Sequence, residues 1–112
     1  MKITRREEGN VTVIEPKGKI TIGEGDVLLR EEITKLLGEE KKSLVLDLGG
    51  ISYMDSAGVG ELVSVYTSVK NRGGELKLSC LTKKIKDLLQ ITQLMTIFDT
   101  YESTQEAISA FK

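Results

Sequence analysis

Hydrophobic residues recur along this chain with two different spacings, and each spacing predicts a kind of secondary structure. Alternating polar and apolar residues, or a short apolar run between turn residues, predict a β-strand. The run at 44–48 is apolar except for Asp47, which is typical of a strand buried on both faces. The predicted strands are residues 2–8, 10–17, 44–48, 75–80 and 96–100, with a short extended segment at 18–22.

Apolar residues that recur every three or four positions predict four helices, each with one face toward a core. The second of these helices, over 57–72, carries Val59, Leu62, Val63, Tyr66 and Val69 at this spacing. The other predicted helices are 27–37 with Leu29, Ile33, Leu36 and Leu37, then 83–91 with Ile85, Leu88 and Leu89, and a terminal helix with Ala107, Ile108 and Phe111.

Polar residues and glycines at the ends of these patterns predict where the helices begin and end. Asp26 and Thr82 are expected to cap the first and third helices, and Gly38 to stop the first. Ser103, followed three residues later by Glu106, has the spacing of a capping box before the terminal helix.

The order of these elements predicts a single α/β domain over residues 1–112. Strands separated by helices require right-handed crossovers and a largely parallel sheet, whereas the opening hairpin at Gly9 and Asn10 adds an antiparallel pair. We therefore expect a mixed, mostly parallel β-sheet with about four α-helices. The residues expected in the core include Leu44, Val45, Leu46, Leu62, Val63, Leu78 and Leu89.

The charge of the chain is nearly balanced, with 16 basic and 17 acidic residues and a net charge of −1. A nucleic-acid or anionic-membrane partner would call for a basic patch, so neither is expected. The N-terminus lacks the apolar core of a signal peptide, and no apolar run is long enough to span a bilayer. These features predict a cytoplasmic protein.

The sequence has no histidine and one cysteine, which excludes several kinds of chemistry. Without histidine there is no Ser-His-Asp or Cys-His nucleophile and no imidazole ligand for zinc or copper. No catalytic residue, metal site or cofactor is therefore predicted. Cys80 is in phase with the apolar positions of its strand, so we expect a small buried side chain and not a reactive thiol.

One polar stretch stands out, because Asp55 and Ser56 lie directly before the predicted helix at 57–72. Either side chain could serve as the helix N-cap, which is a purely structural role. A helix N-terminus also favours negative charge, so Ser56 could be an exposed hydroxyl whose phosphorylation the fold would tolerate. The residues alone leave both interpretations open.

The motif around Ser56 resembles that of the STAS domain family, and more narrowly of the free-standing bacterial anti-sigma factor antagonists. The sequence reads Asp-Leu at 47–48 and Met-Asp-Ser-Ala-Gly-Val-Gly at 54–60. The resemblance extends to Leu-Lys-Leu at 76–78 and to the stretch from Phe98 to Ile108.

The resemblance implies a regulatory protein without catalytic activity that binds an anti-sigma factor with serine kinase activity and thereby frees a sigma factor. In that family the serine after the aspartate, here Ser56, is phosphorylated by this partner, and phosphorylation ends the binding. A phosphatase that acts on phosphorylated Ser56 is a further expected partner. Where the family often has an acidic residue, this chain has Thr21. The residues expected to bind the partner are Thr21, Asp55, Ser56, Ala57, Gly58 and Val59.

Two other functions remain open from the sequence. The same fold could be a constitutive scaffold in a larger signalling assembly, with Ser56 never modified. A small nucleotide-binding protein could instead use Gly49, Gly50, Gly58 and Gly60, but the chain contains neither the dinucleotide-binding nor the P-loop glycine pattern. Close packing of the helix start against the sheet is the simpler interpretation of Gly58 and Gly60.

Overall fold

The computed structural model describes residues 1–111, which form six strands and four helices. The elements are β1 (Lys2–Glu8), β2 (Val11–Ile20), α1 (Asp26–Gly38), β3 (Ser43–Asp47), β4 (Ile51–Met54), α2 (Ser56–Asn71), β5 (Glu75–Ser79), α3 (Lys83–Ile91), β6 (Asp99–Tyr101) and α4 (Thr104–Ser109).

The sheet is mixed and mostly parallel, which confirms the predicted fold class. Its strands lie in the order β1-β2-β3-β5-β6, and β4 pairs with β2 beside this series. The β1–β2 hairpin is antiparallel, whereas every other strand pair is parallel. Helical crossovers between parallel strands account for this arrangement.

Strand β4 was not predicted, because residues 51–54 read as part of a loop. Only Ile51 and Met54 of its four residues are buried, and so short a segment gives no clear alternation. It forms because β2 runs past its partner β3: residues 12–14 pair with β3, and residues 18–20 pair with β4.

The interior position of Pro16 in β2 follows from the same division of partners. Because proline has no N–H to donate, Pro16 is expected to close its strand or lie at the edge of the sheet, but β2 continues to Ile20. Pro16 lies between the stretch that pairs with β3 and the stretch that pairs with β4, where no parallel ladder pair is lost.

Helices cover both faces of the sheet. Leu44 and Leu46 of β3 pack into the main core with the buried faces of α1, α2 and α3, whereas Val45 points to the opposite face with Ala107 of α4. The central strand is therefore buried on both faces, as its apolar run predicts.

Six of the seven predicted core residues are fully buried, and Val63 is only partly buried. On α2 the inner face instead includes Val65 and Glu61, which is 5% exposed.

Glu61 is buried because Arg30 of α1 pairs with its carboxylate. The Arg30 Nε lies 3.0 Å from Glu61 Oε1 and 3.2 Å from Oε2. This hydrogen bond and the charge of Glu61 raise the pKa of Arg30.

Polar and apolar residues alternate at 75–80, which predicts a strand with one face covered. This prediction is wrong, because β5 is covered on both faces. Lys77 is buried, with Nζ 3.3 Å from Asp99 Oδ2 and 4.9 Å from the centre of the Phe111 ring. Burial alone would lower the pKa of Lys77, but the hydrogen bond to Asp99 and nearby negative charges outweigh it and the pKa is raised. An ion pair and an aromatic face thus allow a lysine at a core position.

The helix ends agree with the sequence at two sites and differ at two others. Thr82 caps α3, and Ser103 and Glu106 form the predicted capping box of α4. Asp26, in contrast, is the first residue of α1 after the N-cap Gly25, and its Oδ1 accepts a hydrogen bond from the next amide, that of Val27, at 2.8 Å. Gly38 lies within α1, and the left-handed residue after the helix is Glu40, with φ of 62°.

Cys80 is half-buried, so its predicted full burial is wrong. It follows the end of β5 with φ of 58°, and its Sγ lies 3.6 Å from Thr104 Oγ1. Because β5 stops at Ser79, Cys80 leaves the alternation on which the prediction was based.

The start of α2 lies directly against the end of β2, and Gly58 makes this approach possible. A Cβ at Gly58 would overlap the carbonyl oxygen of Ile20 and would lie 2.6 Å from Met54 Cγ. Gly60, two residues further along the same helix, has open space at that position. Gly58 is therefore needed for close packing of the helix onto the sheet.

Truncating the central strand should destabilise the protein strongly. We expect Leu46→Ala to lower the free energy of unfolding by about 2–5 kcal/mol, through lost burial and a cavity. Leu28→Ala on the exposed side of α1 is the matched control and should cost less than about 1 kcal/mol. Urea unfolding of both variants measures the difference, and equal losses would mean that β3 is not the centre of the core.

Two glycine substitutions in one helix should have opposite effects on stability. Gly58→Ala should destabilise the protein by several kcal/mol, because backbone atoms of Ile20 cannot move aside cheaply. Gly60→Ala should stabilise it by about 0.5–1 kcal/mol, because alanine is the better helix former. Thermal and urea unfolding measure both changes, and a neutral Gly58→Ala would contradict the close contact.

Candidate functional site

The candidate site is the start of α2, where Asp55 and not Ser56 is the N-cap. Asp55 has extended backbone angles, and its Oδ1 accepts a hydrogen bond from the Gly58 amide at 2.8 Å. This bond satisfies one of the unpaired N–H groups of the first helical turn. Ser56 is the first residue of the helix, so its side chain is not used for capping.

The hydroxyl of Ser56 faces solvent. The residue is exposed, and within residues 1–111 no hydrogen bond of its side chain is seen. The positive end of the helix dipole and amides of the first turn lie close to it in sequence. An added phosphate would therefore lie where the fold favours negative charge.

The second oxygen of Asp55 reaches a neighbouring segment. Asp55 Oδ2 accepts a hydrogen bond from the Ile22 amide at 3.3 Å, and the Asp55 amide donates to the Ile20 carbonyl at 3.4 Å. One aspartate thus connects the end of β2 to the start of α2. The structure in this way brings the segment that contains Thr21 to the same place as Ser56.

Thr21 begins a tight turn over residues 21–25. Its amide donates to the Glu24 carbonyl at 2.7 Å, and the Glu24 amide donates back to the Thr21 carbonyl at 3.0 Å. Thr21 is half-buried, whereas Ile22 at the tip is 77% exposed. The turn therefore presents the apolar side chain of Ile22 and the exposed acidic side chain of Glu24, while Thr21 itself is not acidic.

The remaining predicted site residues are less accessible. Ala57 is half-buried, and Gly58 and Val59 are buried against the core. Gly58 and Val59 fix the position of the helix start, and the accessible surface there belongs mainly to Ser56. Sequence reasoning did not identify two exposed apolar residues, Ile22 in the turn at 21–25 and Tyr53 in β4. The sequence signal for Ile22 is an apolar residue within a glycine-rich turn. Tyr53 gives a weaker signal, because the strand that contains it was not predicted.

Three of the four glycines considered for nucleotide binding lie in close contacts, whereas Gly60 has open space around it. A Cβ at Gly50 would lie 2.8 Å from Lys17 Cγ, and one at Gly49 would lie 3.3 Å from Cys80 Cβ. Gly58 lies in a similar contact with Ile20, so packing within the protein accounts for these three glycines. Among residues 1–111, no three potential metal ligands come together, and no helix has the length and apolar character needed to cross a bilayer.

Comparison with known sequences gives matches along nearly the whole chain. The family model of the STAS domain matches residues 2–107. An anti-sigma-B factor antagonist from Bacillus subtilis is 38% identical over 97 residues, covering 80% of this chain and 88% of that protein.

Solved structures give the same fold. An anti-sigma factor antagonist from Mycobacterium paratuberculosis superposes with a TM-score of 0.86 at 18% identity, covering 97% of this chain and 92% of that one. The unphosphorylated form of the anti-sigma factor antagonist SpoIIAA superposes with a TM-score of 0.74 at 17% identity, covering 98% and 97%. Since the family model spans all six strands, the chain belongs to the STAS domain family.

Proposed function

We propose that this protein is an anti-sigma factor antagonist that acts by binding and is switched off by phosphorylation of Ser56. Relatives that carry this name cover most of the chain. The observation that carries the proposal is the position of Ser56, exposed at the first residue of α2 directly after the capping Asp55. A solved form of SpoIIAA is phosphorylated, which supports regulation of this kind in a protein of the same fold.

In the unphosphorylated state, the proposed partner is an anti-sigma factor with serine kinase activity, which contacts the start of α2 and the turn at 21–25. Binding sequesters the partner and frees its sigma factor. The protein needs no cofactor for this role, and a phosphatase acting on phosphorylated Ser56 would restore binding. Because sigma factors act on RNA polymerase, the proposed site of action is the cytoplasm.

The switch follows from the charge of the phosphate. Phosphorylation adds about −1.5 to −2 charges, which the N-terminus of α2 can accept within the folded domain. A partner surface lying over Ser56 has its own charges. One like-charge contact with a partner carboxylate at ~5 Å, at an effective dielectric constant of ~20, costs roughly 3 kcal/mol. That corresponds to a loss in affinity of about a hundredfold.

Phosphorylation itself is tested by incubating the protein with the cognate anti-sigma factor and ATP and measuring intact mass. We expect one added phosphate on the wild type and none on Ser56→Ala. Ser64, an exposed serine on the same helix, gives the matched control, since Ser64→Ala should be modified like the wild type. A wild type that binds but never gains a phosphate would favour the scaffold alternative.

Substitution of Ser56 should separate binding from switching. Ser56→Ala should bind the anti-sigma factor like the wild type. Ser56→Asp should bind at least about tenfold more weakly, because it adds a negative charge at the interface. Its effect should be smaller than that of a phosphate, which carries more charge. Calorimetric titration measures affinity, and circular dichroism checks that both variants are folded. If folded Ser56→Asp binds as tightly as the wild type, the switch is wrong and Ser56 has only a structural place in the helix.

A further inference from the structure

We propose that Asp55 is a positioning residue: its carboxylate holds the turn at 21–25 against the start of α2, so that Ile22 becomes an apolar contact for the anti-sigma factor. The inference rests on the proposed function, and it assigns to Ile22 and Asp55 two distinct roles in partner recognition. Ile22 would touch the partner, and Asp55 would act on the partner through Ile22.

The geometry assigns the two carboxylate oxygens of Asp55 to two different segments. Oδ1 caps α2 through the Gly58 amide at 2.8 Å, and Oδ2 accepts from the Ile22 amide at 3.3 Å. An ionised carboxylate can accept at both oxygens, and hydrogen bonds to a charged acceptor are stronger than those between neutral groups. Asp55 therefore fixes the turn relative to the helix that carries Ser56.

The turn is otherwise held by bonds within it and at its second end, where Gly25 packs against Lys19 and Met1. Its own hydrogen bonds join Thr21 to Glu24, and Gly23 and Gly25 have φ of 78° and 88°. The side chain of Ile22 is 77% exposed and belongs to neither hydrophobic cluster of the described core. The Ile22 amide is thus the point at which this exposed side chain is tied to the start of α2.

An exposed isoleucine in a fixed position suits a protein partner. Side chains that become buried at an interface contribute apolar area, and a contact ordered before binding loses less conformational entropy. Ile22 lies at the turn that Asp55 connects to Ser56, so one partner surface over Ser56 would extend to it. The anti-sigma factor that covers Ser56 is therefore the expected binding partner of Ile22.

Asparagine at position 55 separates the two tasks of the aspartate. Asparagine is as good an N-cap as aspartate, because its side-chain oxygen can still accept from the Gly58 amide. Its other terminal atom is an amide nitrogen, which donates hydrogen bonds and cannot accept one from Ile22. Asp55→Asn should thus preserve α2 and release the turn.

The first measurement is amide hydrogen exchange in the free protein. In Asp55→Asn, exchange at Ile22 should become at least about fivefold faster, while exchange at Gly58 stays within about twofold of the wild type. Unchanged exchange at Ile22 would overturn the connection, whatever the partner does.

The second measurement is a double-mutant cycle on binding to the purified cognate anti-sigma factor, by calorimetry. Ile22→Ser should weaken binding roughly tenfold, and Asp55→Asn roughly fivefold. In the Ile22→Ser background, Asp55→Asn should add less than about twofold, because its effect passes through Ile22. Ile91, which is 80% exposed on α3, supplies the matched control: in the Ile91→Ser background, Asp55→Asn should keep its full effect.

The outcomes separate this inference from the function on which it rests. Wild-type binding with additive losses in the cycle would show that Asp55 acts independently of Ile22, and would overturn only the positioning role. Wild-type binding that is unaffected by Ile22→Ser would overturn Ile22 as a contact. Absence of wild-type binding would overturn the proposed function, and with it the role of Ile22.

Discussion

The close contact between the start of α2 and the end of β2 is the constraint on which the candidate site depends. Gly58 allows the helix to lie against the Ile20 carbonyl. Asp55 joins the two segments, because its carboxylate accepts from the Gly58 amide and its own amide donates to the Ile20 carbonyl. The contact exists because β2 extends beyond β3 and takes β4 as a second partner. A feature of the sheet thus determines where Ser56 and the turn at 21–25 are presented.

The same arrangement would allow this small domain to carry the proposed charge-operated switch without losing its fold. Within the described residues, the Ser56 side chain makes no hydrogen bond that phosphorylation would break, and the adjacent helix end favours added negative charge. The capping task belongs to Asp55, so modification of Ser56 leaves the cap in place. Under the proposed function, the energetic effect of the phosphate would therefore fall on a bound partner rather than on folding.

Most of the fold could be predicted from the sequence because its central elements have strong apolar patterns. The stripe of α1, with Leu29, Ile33 and Leu36, and the run of β3 fix which faces are buried. The pattern fails where burial depends on a partner elsewhere in the chain: Glu61 is buried through Arg30, and Lys77 through Asp99 and Phe111.

At the site, the motif indicates Ser56, but Ile22 could not be identified from the sequence. Its place beside Asp55 depends on a hydrogen bond between residues 33 positions apart.

Control of binding by the charge state of Ser56 can be tested by comparing one protein sample before and after phosphorylation. The affinity for the cognate anti-sigma factor would be measured by calorimetry on the unmodified protein and on the stoichiometrically phosphorylated protein, with a non-hydrolysable nucleotide to prevent turnover. We expect phosphorylation to lower the affinity by about a hundredfold or more. Equal affinities of the two forms would contradict this expectation.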